Sequence, residues 1–148
     1  MDDVEVVDRI SGRVILLDPN GRALLFQGFD PQRPNQLWWI TPGGGLEPGE
    51  TPQQAAAREL QEETSLDVQP QDLGEAVFRN YVEFFFDGRL LRQHNHFFTL
   101  RTEPFEISTA GFDALEQRTH LTHRWWTLEE LRTTDETFFP EELPDLLS

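Results

Sequence analysis

Three glutamates crowd the end of one short segment. Glu59, Glu62 and Glu63 fall in "AAARELQEETSL" (55–66), a few residues after Gly43-Gly44-Gly45. If that segment is helical, carboxylates three and four apart are neighbours, and each like-charged pair costs about 0.2–0.5 kcal/mol. Acids in a last turn also oppose the helix dipole, which favours bases there. Either this face is merely solvated or something cationic sits on it. Carboxylate oxygens are the ligands that Mg²⁺ takes, in octahedral geometry with several waters kept. An ion held there polarises phosphoryl oxygens and activates water, and glycines ahead of the helix let backbone groups come close.

The elements that must position these acids can be read locally. In "GETPQQAAARELQEETSL", Thr51 is suited to be the N-cap and Pro52 the first helical residue, with Ala56 and Leu60 as the buried edge. "QLWWITP" (36–42) is a short strand leading into the glycines. "RVILLDPNGRALLFQG" (13–28) reads as a hairpin around Asp18-Pro19-Asn20-Gly21. A second hairpin runs through "AVFRNYVEFFF" (76–86), Asp87-Gly88 and "RLLRQHNHFFTLR" (89–101). Phe84-Phe85-Phe86 reads as a strand buried on both faces. "HRWWT" (123–127) is a last short strand, "LEELR" (128–132) begins a helix, and "FFPEELPDLL" (138–147) ends in one or two helical turns. Strands before and after a central helix, with another helix at the end, predict an α/β fold with a mixed sheet covered by helices.

The whole chain limits what such a site can serve. Its 148 residues suit one domain spanning 1–148, and 12 Phe and 4 Trp are enough for a core. No run of about 18 apolar residues is present to span a membrane. "MDDVEVVDRI" has neither the basic nor the apolar region of a signal peptide, so a cytoplasmic protein is expected. The absence of cysteine excludes disulfides, a thiolate nucleophile and a cysteine-based zinc site. The formal charge of −15 speaks against nucleic acid as a partner and would also repel a phosphorylated substrate. A phosphate-handling site here needs a local inversion of charge, for which a divalent cation is the simplest device.

Gly44, five residues, Glu50, seven residues, then "RELQEETSL" (58–66) resembles the Nudix box, Gly-x5-Glu-x7-Arg-Glu-aliphatic-x-Glu-Glu-x-Gly-aliphatic. Ser65 stands where the pattern has its last glycine. The resemblance, to the MutT-like Nudix hydrolases, is tightest over 43–66 and extends loosely over the whole chain. It implies an α/β/α sandwich and hydrolysis of a nucleoside diphosphate linked to another moiety, with Mg²⁺ as cofactor and Mn²⁺ as an alternative. It also implies Glu59, Glu62 and Glu63 as metal ligands and a Gly43 or Gly44 carbonyl as a further one. Arg58 then orients the carboxylates, while Glu50 closes the loop-to-helix junction through a salt bridge. Many members take a later carboxylate as base or extra ligand; in the irregular stretch "STAGFDALEQRTH" (108–120), Glu116 is the first candidate and Asp113 the second. A glycine at position 65 implies positive φ. Serine either bears that strain, up to about 1 kcal/mol, or the backbone adopts ordinary angles.

Other residues admit blander readings. His94 and His96 alternate on a strand without a third ligand nearby and read as ordinary, partly buried histidines. His120 and His123, beside the candidate loop, suit phosphate contacts or a strand-end role equally. Of Trp38 and Trp39, on opposite faces, one belongs in the core and the other is free to stack on a base. The partner expected is a small nucleotide, with no membrane, and a homodimer is left open. The rival class is a non-catalytic Nudix-fold binding or regulatory module, which commonly loses box glutamates that are all present here.

Overall fold

The computed structural model describes Val4–Ser148. Its first strand, β1 (Val6–Leu17), leads into β2 (Ala23–Asp30) and β3 (Arg33–Ile40), and the glycines themselves form a short strand, β4 (Gly43–Gly45). Helix α1 (Pro52–Thr64) follows, then the hairpin β5 (Phe78–Phe86) and β6 (Arg89–Arg101). The chain closes with α2 (Ala114–Thr119), β7 (His120–Trp126), α3 (Leu128–Thr133), β8 (Phe138–Phe139) and α4 (Leu143–Leu147). The strand order is β5-β6-β1-β2-β3-β8, with β4 added to β1 and β7 to β2.

This is the mixed sheet expected, but curled. The Asp18–Gly21 turn forms, with Gly21 N donating to Asp18 O at 2.9 Å. Beyond it β1 and β2 meet only at Leu17↔Ala23. β1 then pairs in parallel with β6 and antiparallel with β4, while β2 pairs with β3 and β7. The sheet thus opens into two wings. One core packs α1 through Ala56, Ala57 and Leu60 onto Val14, Leu16, Leu24, Phe26 and Phe98. The other joins Ile15, Leu17, Leu25, Trp39, Phe97 and Trp126 to Leu131 of α3 and Leu143 of α4. Helices therefore cover the sheet on two sides, the sandwich anticipated from sequence.

Helix α1 begins as its residues dictate. Gln54 N donates to Thr51 Oγ1 at 3.2 Å and Thr51 N to Gln54 Oε1 at 3.0 Å, a reciprocal capping box around Pro52. It ends at Ser65 with φ 68° and ψ 9°, so the left-handed conformation of the family glycine is kept and the ordinary-angle alternative is not. Ser65 Oγ donates to Ser108 O at 3.1 Å, which offsets part of the strain. Ser65→Gly is expected to leave stability within about 1 kcal/mol of the parent and turnover intact, since relief of strain and loss of an exposed hydrogen bond nearly cancel. Thermal melting checks this; a clear drop would mean that the tie to residue 108 dominates.

Three local expectations are corrected. Phe84 and Phe85 are exposed, because β5 is the outer strand and these residues lie next to its hairpin turn. The 108–120 stretch is not wholly irregular: Asp113 caps α2, accepting from Glu116 N at 2.8 Å. The strand through His123 begins at His120 and is not the last, since β8 follows and pairs in parallel with β3.

Candidate active site

The close approach of α1 to β1 and β4 builds the site. Gly12 lies so near the first turn of α1 that an added Cβ would sit 2.0 Å from Pro52 O. Gly44 faces Glu59, and a Cβ there would lie 2.6 Å from the Glu59 carboxyl. Gly43 N donates to Glu63 Oε1 at 2.7 Å. The glycines are therefore what lets the helix set two of its carboxylates against backbone.

Arg58 organises the outer part of the cluster. Its Nε and one terminal nitrogen donate to the two oxygens of Glu50 at 2.8 and 3.0 Å, and the same nitrogen reaches Gly45 O at 3.1 Å. The other terminal nitrogen donates to Glu59 at 3.0 Å and to Glu62 at 3.3 Å. These hydrogen bonds hold the Glu50 carboxyl below its ordinary range and raise the affinity of Arg58 for its proton. With both oxygens engaged by Arg58, Glu50 serves the loop-to-helix junction.

Glu116 arrives from α2 and joins two groups. Ligand atoms of Glu59, Glu62 and Glu116 lie within 4.8 Å of one another, and so do those of Glu63, Glu116 and His120. Glu59 and Glu63 fall in different triples, with Glu116 common to both. Gly111 allows this approach, since a Cβ there would lie 2.6 Å from Glu62 O. Asp113, the second candidate, is occupied as the cap of α2.

The electrostatics is that of crowded, largely buried acids whose arginine partners do not offset burial and mutual repulsion. Burial, with the field of Glu116 added and Arg58 opposing, pushes Glu59 up to about 7. Glu63, only 2% exposed, is raised well above its usual range by burial and by Glu59 and Glu116, against the pull of Arg13. Burial also raises Glu116, whose carboxyl lies beside that of Glu63. A divalent cation fits this donor set, because oxygen ligands that resist ionising together need the positive charge such an ion brings. Glu59, Glu62, Glu63 and Glu116 are the residues placed to hold it.

Several residues here escaped the sequence reading. Arg13 lies fully buried behind Glu63, with Nε donating to Thr41 Oγ1 at 3.2 Å and a terminal nitrogen to Thr41 O at 2.6 Å; burial lowers it to about 10. Arg9 rests its guanidinium beside Gly45, and its Nε is buried without a partner. The signal was the alternation of Arg9, Ser11 and Arg13 with Ile10, Gly12 and Val14, which puts a polar row on one strand face. Burial holds the imidazole of His120 neutral, lowered to about 4, with Nδ1 unpaired. His120 and His123 line a cavity of about 540 Å³ with Phe26, Phe112 and Gln117. His94 is exposed beside Tyr81, and His96 accepts from Arg79 at 3.2 Å. Trp39 is the buried member of its pair. No helix among the described residues is long and apolar enough to cross a membrane.

The family model described as NUDIX domain matches residues 8–146. The chain is 30% identical over 145 residues to an RNA pyrophosphohydrolase of Erythrobacter litoralis, covering 90% of this chain and 77% of that protein. A shorter match, 48% identical over 59 residues, is to an 8-oxo-dGTP diphosphatase of Proteus vulgaris and covers 37% of this chain and 53% of that one. The MutT protein from Methanosarcina mazei Go1 shares the fold with a TM-score of 0.66 at 21% identity, over 98% of this chain and 94% of that one.

Proposed function

The chain belongs to the Nudix family of hydrolases, and on that premise we propose that it is a Mg²⁺-dependent pyrophosphohydrolase cleaving a diphosphate linkage in a nucleotide. The observation that carries this reading is the convergence of Glu59, Glu62 and Glu63 from α1 with Glu116 from α2. A bound divalent cation supplies a Lewis acid for the phosphoryl oxygens. Arg58 fixes the orientation of Glu59 and Glu62, and Gly43 N–H fixes that of Glu63. Glu116 is the base, accepting a proton from the attacking water at its carboxylate. Arg9, a cation with an unused N–H beside Gly45, receives the phosphate chain of the substrate.

Both relatives are named for pyrophosphate or diphosphate chemistry on nucleotides, one on RNA and one on a free nucleotide. The charge of −15 favours the free nucleotide, since a long RNA would be repelled along its length. The test is a panel of nucleoside triphosphates, dinucleoside polyphosphates, ADP-ribose and triphosphate-ended RNA, assayed with Mg²⁺ and with Mn²⁺ and with products identified. Absence of hydrolysis across the panel would leave a non-catalytic binding module in its place.

Mg²⁺ is further expected to raise the melting temperature, because it relieves the carboxylate crowding only in the folded state. At 100 times its dissociation constant the gain is about 2.7 kcal/mol. A melting curve unchanged through millimolar Mg²⁺, in a protein that also lacks activity, removes the metal site.

A further inference from the structure

We infer that two copies of this chain associate through the outer edge of β5, pairing their β5 strands antiparallel about a two-fold axis at Tyr81. Sheet order leaves that edge open. β5 begins the path β5-β6-β1-β2-β3-β8, and among the described residues no strand pairs with its outer side. Its 9 residues make an edge about 30 Å long, whereas β8 at the far end of the path has 2 residues. A long edge strand without proline is a template for another strand, and proteins that stay monomeric usually blunt such an edge.

The hairpin turn decides which backbone groups of β5 point outward. Asp87 and Gly88 both have positive φ, as in the two-residue turns whose flanking residues exchange both hydrogen bonds, here Phe86 and Arg89. Pairing continues without a shift to Phe78↔Phe97. By alternation the N–H and C=O groups of Phe84, Val82 and Asn80 turn to β6, and those of Phe85, Glu83, Tyr81 and Arg79 turn outward. The side chains of these four outward residues share one face of the strand and all are exposed.

Charge selects the partner and the register. Each copy carries −15, so two copies repel unless they meet through a locally balanced patch. The charged residues of β5 are Arg79 and Glu83, placed evenly about Tyr81. With the axis at Tyr81, Arg79 of one protomer stands directly opposite Glu83 of its partner, and the symmetry repeats the pair. Phe85 comes level with Val77 of the partner and, on the other face, Phe84 with Phe78. Val77, Phe84 and Phe85 are 50%, 37% and 54% exposed in the single chain. An axis at Val82 would set Arg79 against Phe85, and one at Glu83 would set that carboxylate against its own copy. Four residues along a strand span about 13 Å, so Arg79 and Glu83 of one protomer do not pair with each other. Arg79 instead donates to His96, and Glu83 accepts from Tyr81 Oη at 2.6 Å. The carboxylate site stays clear of this edge, since β4 and α1 lie against β1, two strands in from β5.

The experiment is sedimentation equilibrium of the full chain from low micromolar to near-millimolar concentration, with amide hydrogen exchange at both ends of that range. Wild type is expected to pass from monomer to dimer, and the Tyr81 and Glu83 amides to become protected as it does. Arg79→Glu and Glu83→Arg, each checked for a cooperative melt, should each weaken association at least about tenfold, because two symmetric pairs turn repulsive at once. The deciding sample is their equimolar mixture. One variant presents two glutamates and the other two arginines, so a mixed dimer restores both pairs and should regain wild-type strength. A structural defect in either variant would not be repaired by mixing. A wild type that stays monomeric across the range overturns the proposal, as does a dimer whose Tyr81 and Glu83 amides remain unprotected. Charge variants that associate like wild type, or a mixture no stronger than its components, overturn it equally. Should a charge variant fail to fold, Tyr81→Ser takes its place by removing the contact on the axis. Association unchanged in Tyr81→Ser then decides against the interface, and a loss of about tenfold upholds it.

Discussion

Glu63→Gln is expected to lower turnover by about 10²–10³ without loss of fold, the range for removing one electrostatic contact to a phosphoryl transition state. The contacts of the Glu63 side chain show why the fold should survive. Glu63 accepts from Gly43 N–H on one oxygen, and its carboxyl lies beside that of Glu116. A glutamine amide offers an oxygen toward Gly43 and an N–H toward Glu116, so the contacts that seat the side chain survive. What it cannot supply is an anionic oxygen for a cation. Glu59→Gln should fall as far, because its carboxyl is the one pressed into the space that Gly44 leaves. Glu62→Gln should cost less, since the Glu62 carboxyl is more exposed and shares Arg58 with Glu59 and Glu50. Glu116→Gln is expected to reduce turnover while Mg²⁺ affinity drops less than in the α1 variants. Turnover and Mg²⁺ affinity of all four variants on one substrate provide the check. Near wild-type turnover in both Glu59→Gln and Glu63→Gln would refute the mechanism.

What was legible in the sequence was what short-range chemistry decides. Thr51 and Pro52 mark the start of α1 because cap and first-turn preferences act within four residues. Asp87-Gly88 mark the β5–β6 turn because both adopt positive φ there. The box acids were legible because their spacing is itself helical. Residues that owe their role to distant pairing were not. Arg13 and Arg9 look like surface bases until β4 folds over β1, and His120 looks like a strand-end residue until α2 brings Glu116 beside it. The Phe84–Phe86 run misled in the opposite direction. An apolar run is buried only if layers cover both faces, and strand order, which decides that, is not a local property. Asn80, Gln93 and Asn95 share a face through the β5–β6 hairpin, and Ser11, 84 residues before Asn95, joins them only through the parallel pairing of β1 with β6.

Gly12→Ala should be the most destabilising single-methyl change in the chain. Its Cβ would lie 2.0 Å from Pro52 O and 2.8 Å from Ala56 N, both backbone atoms in the first turns of α1. No rotamer can relieve a contact with backbone, so the helix must move off β1. Such overpacking typically costs about 1–3 kcal/mol, and contact this close places the variant at or above the upper end. For a chain of this size that is a fall in melting temperature of about 6–12 °C. The displacement carries a functional consequence that a purely structural defect elsewhere would lack. Glu63 is held by Gly43 N–H and Glu59 is seated against Gly44, so moving α1 away from β1 and β4 withdraws both carboxylates together. Mg²⁺ affinity should therefore fall along with stability, measured well below the melting transition where the variant remains folded. Gly21→Ala is the control, because nothing lies within 4 Å of its Cβ and its only burden is a φ of +77° in a turn remote from α1. It should lose stability and keep Mg²⁺ affinity. A Gly12→Ala protein that melts like wild type, or that melts early but binds Mg²⁺ unchanged, would show that the close packing of helix on strand is not what holds the carboxylates in place.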